Sequence, residues 1–218
     1  MRTQFTHELI ALTEDLTRMC RLAHDAAERV TDALVDADLT ATYEVFAFDE
    51  QLQKMYGACE ARTVVLLALQ APVARDLRHV VTAIQIAGEL SRIGWLISRV
   101  AQQVYRSYPE HVAPQQIMAI LAAMCGLAAR RTERAGDAVA GGRQDADAGT
   151  AAHPMEQLHH QLHTALGNST EPTDTAIDIA LLGHNLERCV DHTDRIDRLI
   201  RFLDTGIPPT AQSSDDPE

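Results

Sequence analysis

The stretch Asn-Leu-Glu-Arg-Cys-Val-Asp-His at residues 185–192 carries two acids, Glu187 and Asp191, four positions apart in a strongly helical run. Positions i and i+4 are neighbours on one face of a helix, so both carboxylates point at the same place. The same frame occurs earlier, at residues 89–95, as Glu-Leu-Ser-Arg-Ile-Gly-Trp. One chain therefore carries two copies of one helical frame, which predicts an internal repeat.

The two copies differ at the acid positions. Ser91 stands where the later copy has Glu187, and Trp95 stands where it has Asp191. Two carboxylates held side by side repel each other unless a cation, a proton or an arginine lies between them. The acid pair of the later copy is therefore a candidate cation site, and the earlier copy lacks that pair.

Apolar residues recur at steps of three and four along the chain, which predicts an all-α protein of six helices. Breaks are predicted at residues 36–38, at Pro72 and at Gly206, with a polar loop at residues 143–150. In the second helix we expect the buried seam to continue as far as Leu69. The six helices form two sets of three, predicted over residues 1–107 and 108–207, and residues 208–218 are predicted to be a disordered acidic tail.

The composition limits the classes of partner. The chain has 218 residues and a net charge of −12, with 31 acids against 19 bases. Such a surface repels nucleic acid and anionic lipid and favours basic protein surfaces or cations. No apolar run is long enough to span a membrane, so we do not expect an integral membrane protein. The four scattered cysteines predict buried thiols in a reducing cytosol rather than disulfides.

Two motifs of the chain are Gln-Ala-Pro-Val-Ala-Arg-Asp-Leu-Arg at residues 70–78 and Leu-Glu-Arg-Cys-Val-Asp-His at residues 186–192. Together they resemble the PhoU family, the accessory regulators of phosphate-specific transport, and the resemblance extends over residues 5–207. It implies two tandem three-helix bundles related by a pseudo-two-fold axis, and metal bound through paired-acid motifs of the form E/D-x-x-x-D. It also implies a homodimer in the cytoplasm, peripheral at the inner membrane face through its partners.

Carried over residue by residue, the metal motif of the resemblance is complete only on the sixth helix, at Glu187 and Asp191. On the second helix the motif falls on Asp49 and Gln53, so only its first acid is present. On the third helix it falls on Ser91 and Trp95, although Glu89 lies nearby, and on the fifth helix it falls on Met155 and His159. We therefore expect metal, if it is bound at all, in the second half only.

The fifth helix has ligands of its own. Glu156, His159 and His163 follow each other at spacings of three and four, which present side chains on one helical face. If the fifth and sixth helices are antiparallel neighbours, this cluster faces Glu187 and Asp191. Mixed carboxylate and imidazole ligands suit Zn, Fe or Mn. The alternatives left open are a solvated, histidine-rich face and neutralisation of the acids by arginines.

Three residues of the first half are candidates for partner binding. Asp76 and Arg78 match the family motif, and the alternative is an acid that stabilises the first helical turn beside a surface arginine. Trp95, the single tryptophan, is either a packing residue or a contact for a partner.

Enzyme signatures are missing from the sequence: it has no Gly-rich phosphate loop, no G-x-S-x-G and no H-E-x-x-H. By resemblance, the chain would couple the ATPase subunit of a phosphate ABC transporter to a sensor histidine kinase and restrain the phosphate-starvation response. One alternative is a metal-dependent enzyme of the di-iron type, of whose two E-x-x-H motifs only that at Glu156 is well placed. The other is a bundle whose acids and histidines are merely surface residues.

Overall fold

The computed structural model describes residues 2–141 and 154–210, and for residues 2 and 3 the backbone alone. The predicted loop 143–150 and the tail beyond residue 210 lie outside the described residues. The described part of the chain is all-α, without strands. Its helices are α1 (Arg2–Asp36), α2 (Leu39–Gln70), α3 (Ala74–Ser107), α4 (Gln115–Val139), α5 (Pro154–Gly167) and α6 (Thr173–Thr205).

The helices end where the local signals predicted. Asp38 caps α2, since its side chain accepts a hydrogen bond from the Thr40 amide at 2.7 Å. At the other end of α2, Ala71 adopts a left-handed conformation immediately before Pro72. The helix α6 closes at Gly206, whose positive φ of 78° favours glycine and whose amide bonds to the Phe202 carbonyl.

The helix contacts have a two-fold pattern. The helices α1, α2 and α3 all pack against one another, and so do α4, α5 and α6. The two sets join through α1 against α4 and through α3 against α6. Exchanging α1 with α4, α2 with α5 and α3 with α6 leaves this pattern unchanged, as two tandem three-helix units related by a pseudo-two-fold axis require.

A single apolar core runs through both sets of helices. It extends from Leu12 in α1 through Leu90 and Ile97 in α3 to Leu162 in α5 and Leu186 in α6. The helix α3 is long and apolar enough to cross a membrane by length and composition, but 61% of the relevant window is buried inside the protein. Its apolar character is therefore accounted for by its position at the junction of the two sets.

One expectation about the core was wrong. Leu69 does not continue the buried seam of α2, because its side chain is 74% exposed. The second helix is wrapped by α1 and α3 only as far as Leu66, which packs with Phe5 and Val80 in a small separate cluster. Because the core is continuous, the division into units at residue 107 stays a prediction.

Candidate functional site

The acid Glu187 lies between two imidazoles. His159 on α5 places Nδ1 3.5 Å from Glu187 Oε1, and His184, one turn earlier on α6, places Nδ1 3.7 Å from Oε2. Close packing of α6 on α5 allows this contact: a Cβ at Gly183 would collide with Leu162 Cδ2 and would lie 3.7 Å from the His159 ring. The predicted meeting of the α5 cluster with the α6 acid is therefore present for one histidine.

The other predicted ligands are placed differently. Asp191 accepts a hydrogen bond from Arg188 at 3.0 Å, so an arginine neutralises it. His163 packs its ring against that of His159, with 4.6 Å between the centroids, and Glu156 is exposed. In the described ranges, no group of three His, Cys, Asp or Glu side chains is arranged to hold a metal ion. The structure thus brings Glu187 and His159 together with His184 beside them, but these groups do not form a complete set of metal ligands.

In the first half, a side-chain amide occupies the place that corresponds to the acid pair of α6. Ser91 donates to Gln53 Oε1 at 2.8 Å, and Gln53 Nε2 donates to the Ser91 carbonyl at 3.2 Å and to Asp49 Oδ1 at 3.1 Å. An amide N–H therefore stands beside the surviving acid, where the family pattern would have a second carboxylate. These groups satisfy one another without a cation, which gives a physical reason why this half lacks the charge that a metal requires.

A second acid–imidazole pair joins the two halves. His192 on α6 is only 5% exposed and contacts Glu89 on α3, and Arg195 places its guanidinium 3.8 Å from the same carboxylate. Burial acts to raise the pKa of Glu89, but the hydrogen bond with His192 and the charges of His192, Arg195 and Arg92 together lower it. Glu89 is thus a structural acid held ionised between α3 and α6.

The predicted partner residues lie on two separate surfaces. Asp76 is exposed in the first turn of α3, where an acid suits the helix dipole. Arg78 is half-buried against Gly206, and its Nε has no hydrogen-bond partner among the described residues. Trp95 is 53% exposed, so it is not a core packing residue. Nineteen helical positions separate it from Asp76, which is about 28 Å along α3.

The turn between α2 and α3 is unusually apolar. Over residues 64–77, which we call the α2–α3 tip, six large apolar side chains are exposed: Val64, Val65, Leu67, Leu69, Val73 and Leu77. The corresponding turn of the second half, residues 167–174, reads Gly-Asn-Ser-Thr-Glu-Pro-Thr-Asp. Contiguous exposed apolar side chains of this kind mark an interaction surface.

The comparisons with known proteins agree with this architecture. The sequence profile of the PhoU domain matches residues 16–104. The phosphate-specific transport system accessory protein PhoU homolog 2 of Mycobacterium tuberculosis is 35% identical, over 96% of this chain and 100% of that protein. PhoU homolog 1 of Mycobacterium leprae is also 35% identical, over 96% of both chains. The chain belongs to the PhoU family.

The fold is shared with solved PhoU structures. The crystal structure of PhoU from Pseudomonas aeruginosa superposes with a TM-score of 0.69 at 22% identity, over 93% of this chain and 100% of that chain. The phosphate transport system regulatory protein PhoU from Streptococcus pneumoniae gives a TM-score of 0.68 at 20% identity, over 93% and 98%. At this level of identity the likeness shows the fold alone.

Two features of the site were not found from the sequence. The pairing of Glu89 with His192 depends on how α3 and α6 are aligned, which no local pattern reveals. The bonds of Gln53 to Ser91 could have been suspected, because a polar pair replaces acids at positions that face each other in the resemblance.

Proposed function

We propose that this PhoU-family chain is a cytoplasmic regulator of phosphate uptake and phosphate-starvation signalling. It would couple the ATPase subunit of a phosphate ABC transporter to a sensor histidine kinase and act as a negative regulator. The observation that supports this role most strongly is the 35% identity over 96% of the chain to proteins named as phosphate transport accessory proteins. No feature of the described residues favours the di-iron alternative, since Glu156 is exposed and only one E-x-x-H motif is well placed.

The α2–α3 tip is the proposed docking surface for the transporter. It combines exposed apolar side chains with Asp76, and Arg78 fixes its position by packing on the end of α6. The last two turns of α2 have apolar side chains on the faces that α1 and α3 leave open, and water is a poor environment for them. A protein partner suits this surface better than an anionic membrane does, because the net charge is −12.

The test uses a deletion strain and purified ATPase subunit. With phosphate abundant, deletion of the gene is expected to switch on a phosphate-starvation reporter, and the wild-type gene should silence it. The Leu69→Asp/Val73→Asp variant should bind the ATPase subunit at least ten-fold more weakly. Ile177→Asp/Leu181→Asp, which adds the same two charges at exposed apolar residues near the other end of the molecule, is the control.

Two results would contradict this proposal. A reporter that stays silent in the deletion strain would remove the negative regulatory role. Unchanged affinity of the Leu69→Asp/Val73→Asp variant for the ATPase subunit would remove the tip as its docking surface. The homodimer implied by the family resemblance stays a prediction, which sedimentation equilibrium of the full chain would test.

We further propose that a transition metal, Zn, Fe or Mn, would bind in the second half only, with Glu187 as its central ligand. The nearest nitrogen ligands are those of His159 and His184. Asp191 would have to leave Arg188 before it could join them. The metal content of protein purified without a histidine tag tests the proposal, and metal beside Trp95 would contradict it.

A further inference from the structure

The C-terminal half of α3 carries exposed arginines and has no acid after Glu89. Between residues 90 and 108 the chain contains Arg92, Arg99 and Arg106 and no aspartate or glutamate, although the whole chain has a net charge of −12. The arginines are seven positions apart, which is close to two full helical turns, so all three lie on one stripe. All three are exposed. The stripe is about 21 Å long, at 1.5 Å per residue.

Aromatic side chains accompany these arginines. The Trp95 ring lies under the Arg99 guanidinium, 5.8 Å from its centroid, and Arg99 also donates to Gln102 Oε1 at 2.7 Å. At the end of the stripe, the exposed Tyr105 makes an edge contact with Tyr43 of α2, with ring centroids 6.0 Å apart. Arginine, tryptophan and tyrosine are the residues that most often dominate binding energy at protein interfaces.

The second repeat provides an internal comparison. At an offset of 96 residues, Arg92 and Arg99 correspond to Arg188 and Arg195 of α6. The α6 arginines have acidic partners: Arg188 contacts Asp191, and Arg195 approaches Glu89. The acids of α6 at 187, 191, 194 and 197 are replaced in α3 by Ser91, Trp95, Ser98 and Ala101.

Among the described residues, Arg99 and Arg106 are consequently left without acidic partners, whereas the charge of Arg92 helps to lower the pKa of Glu89. In residues 2–141 and 154–210, no carboxylate forms a salt bridge with Arg92, Arg99 or Arg106. Three guanidinium groups lie on this face, none of them in a salt bridge among the described residues, and they flank a half-exposed tryptophan. They are suited to bind carboxylates from another molecule.

We propose that this α3 stripe, defined by Arg92, Trp95, Arg99 and Arg106, is a docking surface for an acidic polypeptide segment of a partner. An extended segment of about six or seven residues matches its length of roughly 21 Å. Its carboxylates would pair with the three arginines, and an apolar or aromatic side chain between them would pack on Trp95. The surface is distinct from the α2–α3 tip, because about 22 Å of helix separates Leu77 from Arg92.

The surroundings of the stripe favour a narrow ligand. On the α2 side lies Asp49, whose Oδ1 would be 3.4 Å from a Cβ at Gly94, and on the α6 side lies Asp178, which accepts a hydrogen bond from Gln103 at 3.0 Å. These acids would repel a broad polyanion such as duplex DNA or an anionic bilayer, whereas a single extended chain can lie between them. The acidic C-terminal residues of the same chain cannot cover the whole stripe, because α6 is antiparallel to α3 and Arg106 lies about 45 Å from the C-terminal end of α6.

The inference rests on the proposed role as a docking protein, but its test needs neither transporter nor kinase. Trp95 is the single tryptophan, so its fluorescence reports directly on the stripe. The probe is a seven-residue peptide in which pairs of glutamates are separated by single phenylalanines (Glu-Glu-Phe-Glu-Glu-Phe-Glu). The control peptide has glutamine in place of every glutamate. We expect the acidic peptide to change the emission of Trp95 saturably and to bind at least ten-fold more tightly than the glutamine peptide, with weaker binding at higher salt.

Two variants of equal net charge complete the experiment. Arg92→Gln/Arg99→Gln/Arg106→Gln removes the stripe charges but keeps Trp95, and it should bind the acidic peptide at least ten-fold more weakly. The control replaces three exposed arginines on other surfaces, Arg18, Arg21 and Arg134, by glutamine and should bind as the wild type does. Circular dichroism of both variants checks that the helices are retained.

Four results would overturn the proposal. The first is no binding of the acidic peptide to the wild-type protein at low salt, and the second is an equal loss of peptide affinity in both variants. The third is tighter binding of duplex DNA, or of vesicles containing anionic lipid, than of the peptide. The fourth is a change of Trp95 emission when residues 211–218 are deleted without any peptide present, because the chain's own tail would then be the occupant. Absence of peptide binding to the wild-type protein, together with an intact response to phosphate in the reporter strain, would refute this inference and leave the proposed function standing.

Discussion

Replacement of Glu89 by alanine tests whether the contact between α3 and α6 is held by the buried acid–imidazole pair. The change removes the carboxylate that contacts His192 and lies 3.8 Å from Arg195. The His192 side chain is only 5% exposed, so water cannot readily replace the lost partner. The variant therefore leaves a buried polar group unsatisfied at the junction of the two halves.

The magnitude follows from these surroundings. A buried donor or acceptor left without a partner costs about 1–3 kcal/mol, and a broken buried ion pair costs more. The contact with Arg195 adds little, because that side chain is 43% exposed. We expect Glu89→Ala to lower the free energy of unfolding by about 2–3 kcal/mol, which for a chain of this size is a fall in Tm of roughly 4–12 °C.

The assay is urea and thermal denaturation followed by circular dichroism. Glu60→Ala, at an exposed position of α2, is the control and should change the free energy of unfolding by less than about 0.5 kcal/mol. His192→Leu and the double variant Glu89→Ala/His192→Leu complete a thermodynamic cycle. Because the double variant leaves no orphaned partner, it should cost less than the two single changes added together.

The effect of pH has a defined sign. The pKa of Glu89 is lower in the folded protein than its usual value of about 4.3 in unfolded chains, so ionised Glu89 stabilises the fold. This stabilisation is complete above the unfolded pKa and is lost as the pH falls through the folded pKa. The difference between wild type and Glu89→Ala should be constant near pH 6 and shrink below about pH 4. A variant as stable as wild type near pH 6, or strictly additive changes in the cycle, would refute the reasoning.

Three further predictions concern the metal, the thiols and the amide in the first half. Protein that carries metal should lose it in Glu187→Ala/Asp191→Ala and keep it in Glu89→Ala, as measured by elemental analysis; metal retained in the double variant would place the ligands elsewhere. Since burial raises the pKa of the thiols, to about 12 for Cys20 and Cys125 and to about 11 for Cys59, all four buried cysteines should resist alkylation at pH 8 until the protein unfolds; rapid labelling of the native protein would contradict this. Ser91→Ala should cost only about 1 kcal/mol in urea denaturation, because the exposed Gln53 amide can bond to water instead; a loss above about 2 kcal/mol would show that the bond is more important than its exposure suggests.

The helices could be predicted from the sequence because their ends depend on neighbouring residues. The sequence Asp36-Ala37-Asp38, the proline at 72 and the glycine at 206 act within a few residues of themselves, and the structure confirms all three breaks. The helical spacing of the α5 histidines likewise predicted that His159 would face the acid on α6.

The remaining features depend on the alignment of distant helices. The contact of Glu89 with His192 joins residues 103 positions apart and follows from the antiparallel packing of α3 on α6. The exposure of Leu69 could not be predicted either, because an apolar residue at a helical spacing reads the same whether or not a neighbouring helix extends far enough to cover it. The sequence allows arginines to neutralise the acids, but only the structure shows that Arg188 is bound to Asp191 rather than to Glu187.

The continuous core that joins α1 to α4 and α3 to α6 also explains why the two halves can differ in sequence. A protein made of one three-helix unit would leave two apolar helix faces uncovered, so it would have to exist as a homodimer. In a symmetric homodimer every substitution appears twice, once on each side of the axis. Joining two units in one chain removes that constraint, and it allows tryptophan to occupy one copy of the frame while aspartate is kept in the other. The asymmetry between the two halves is therefore a freedom that the single-chain arrangement gives to this protein.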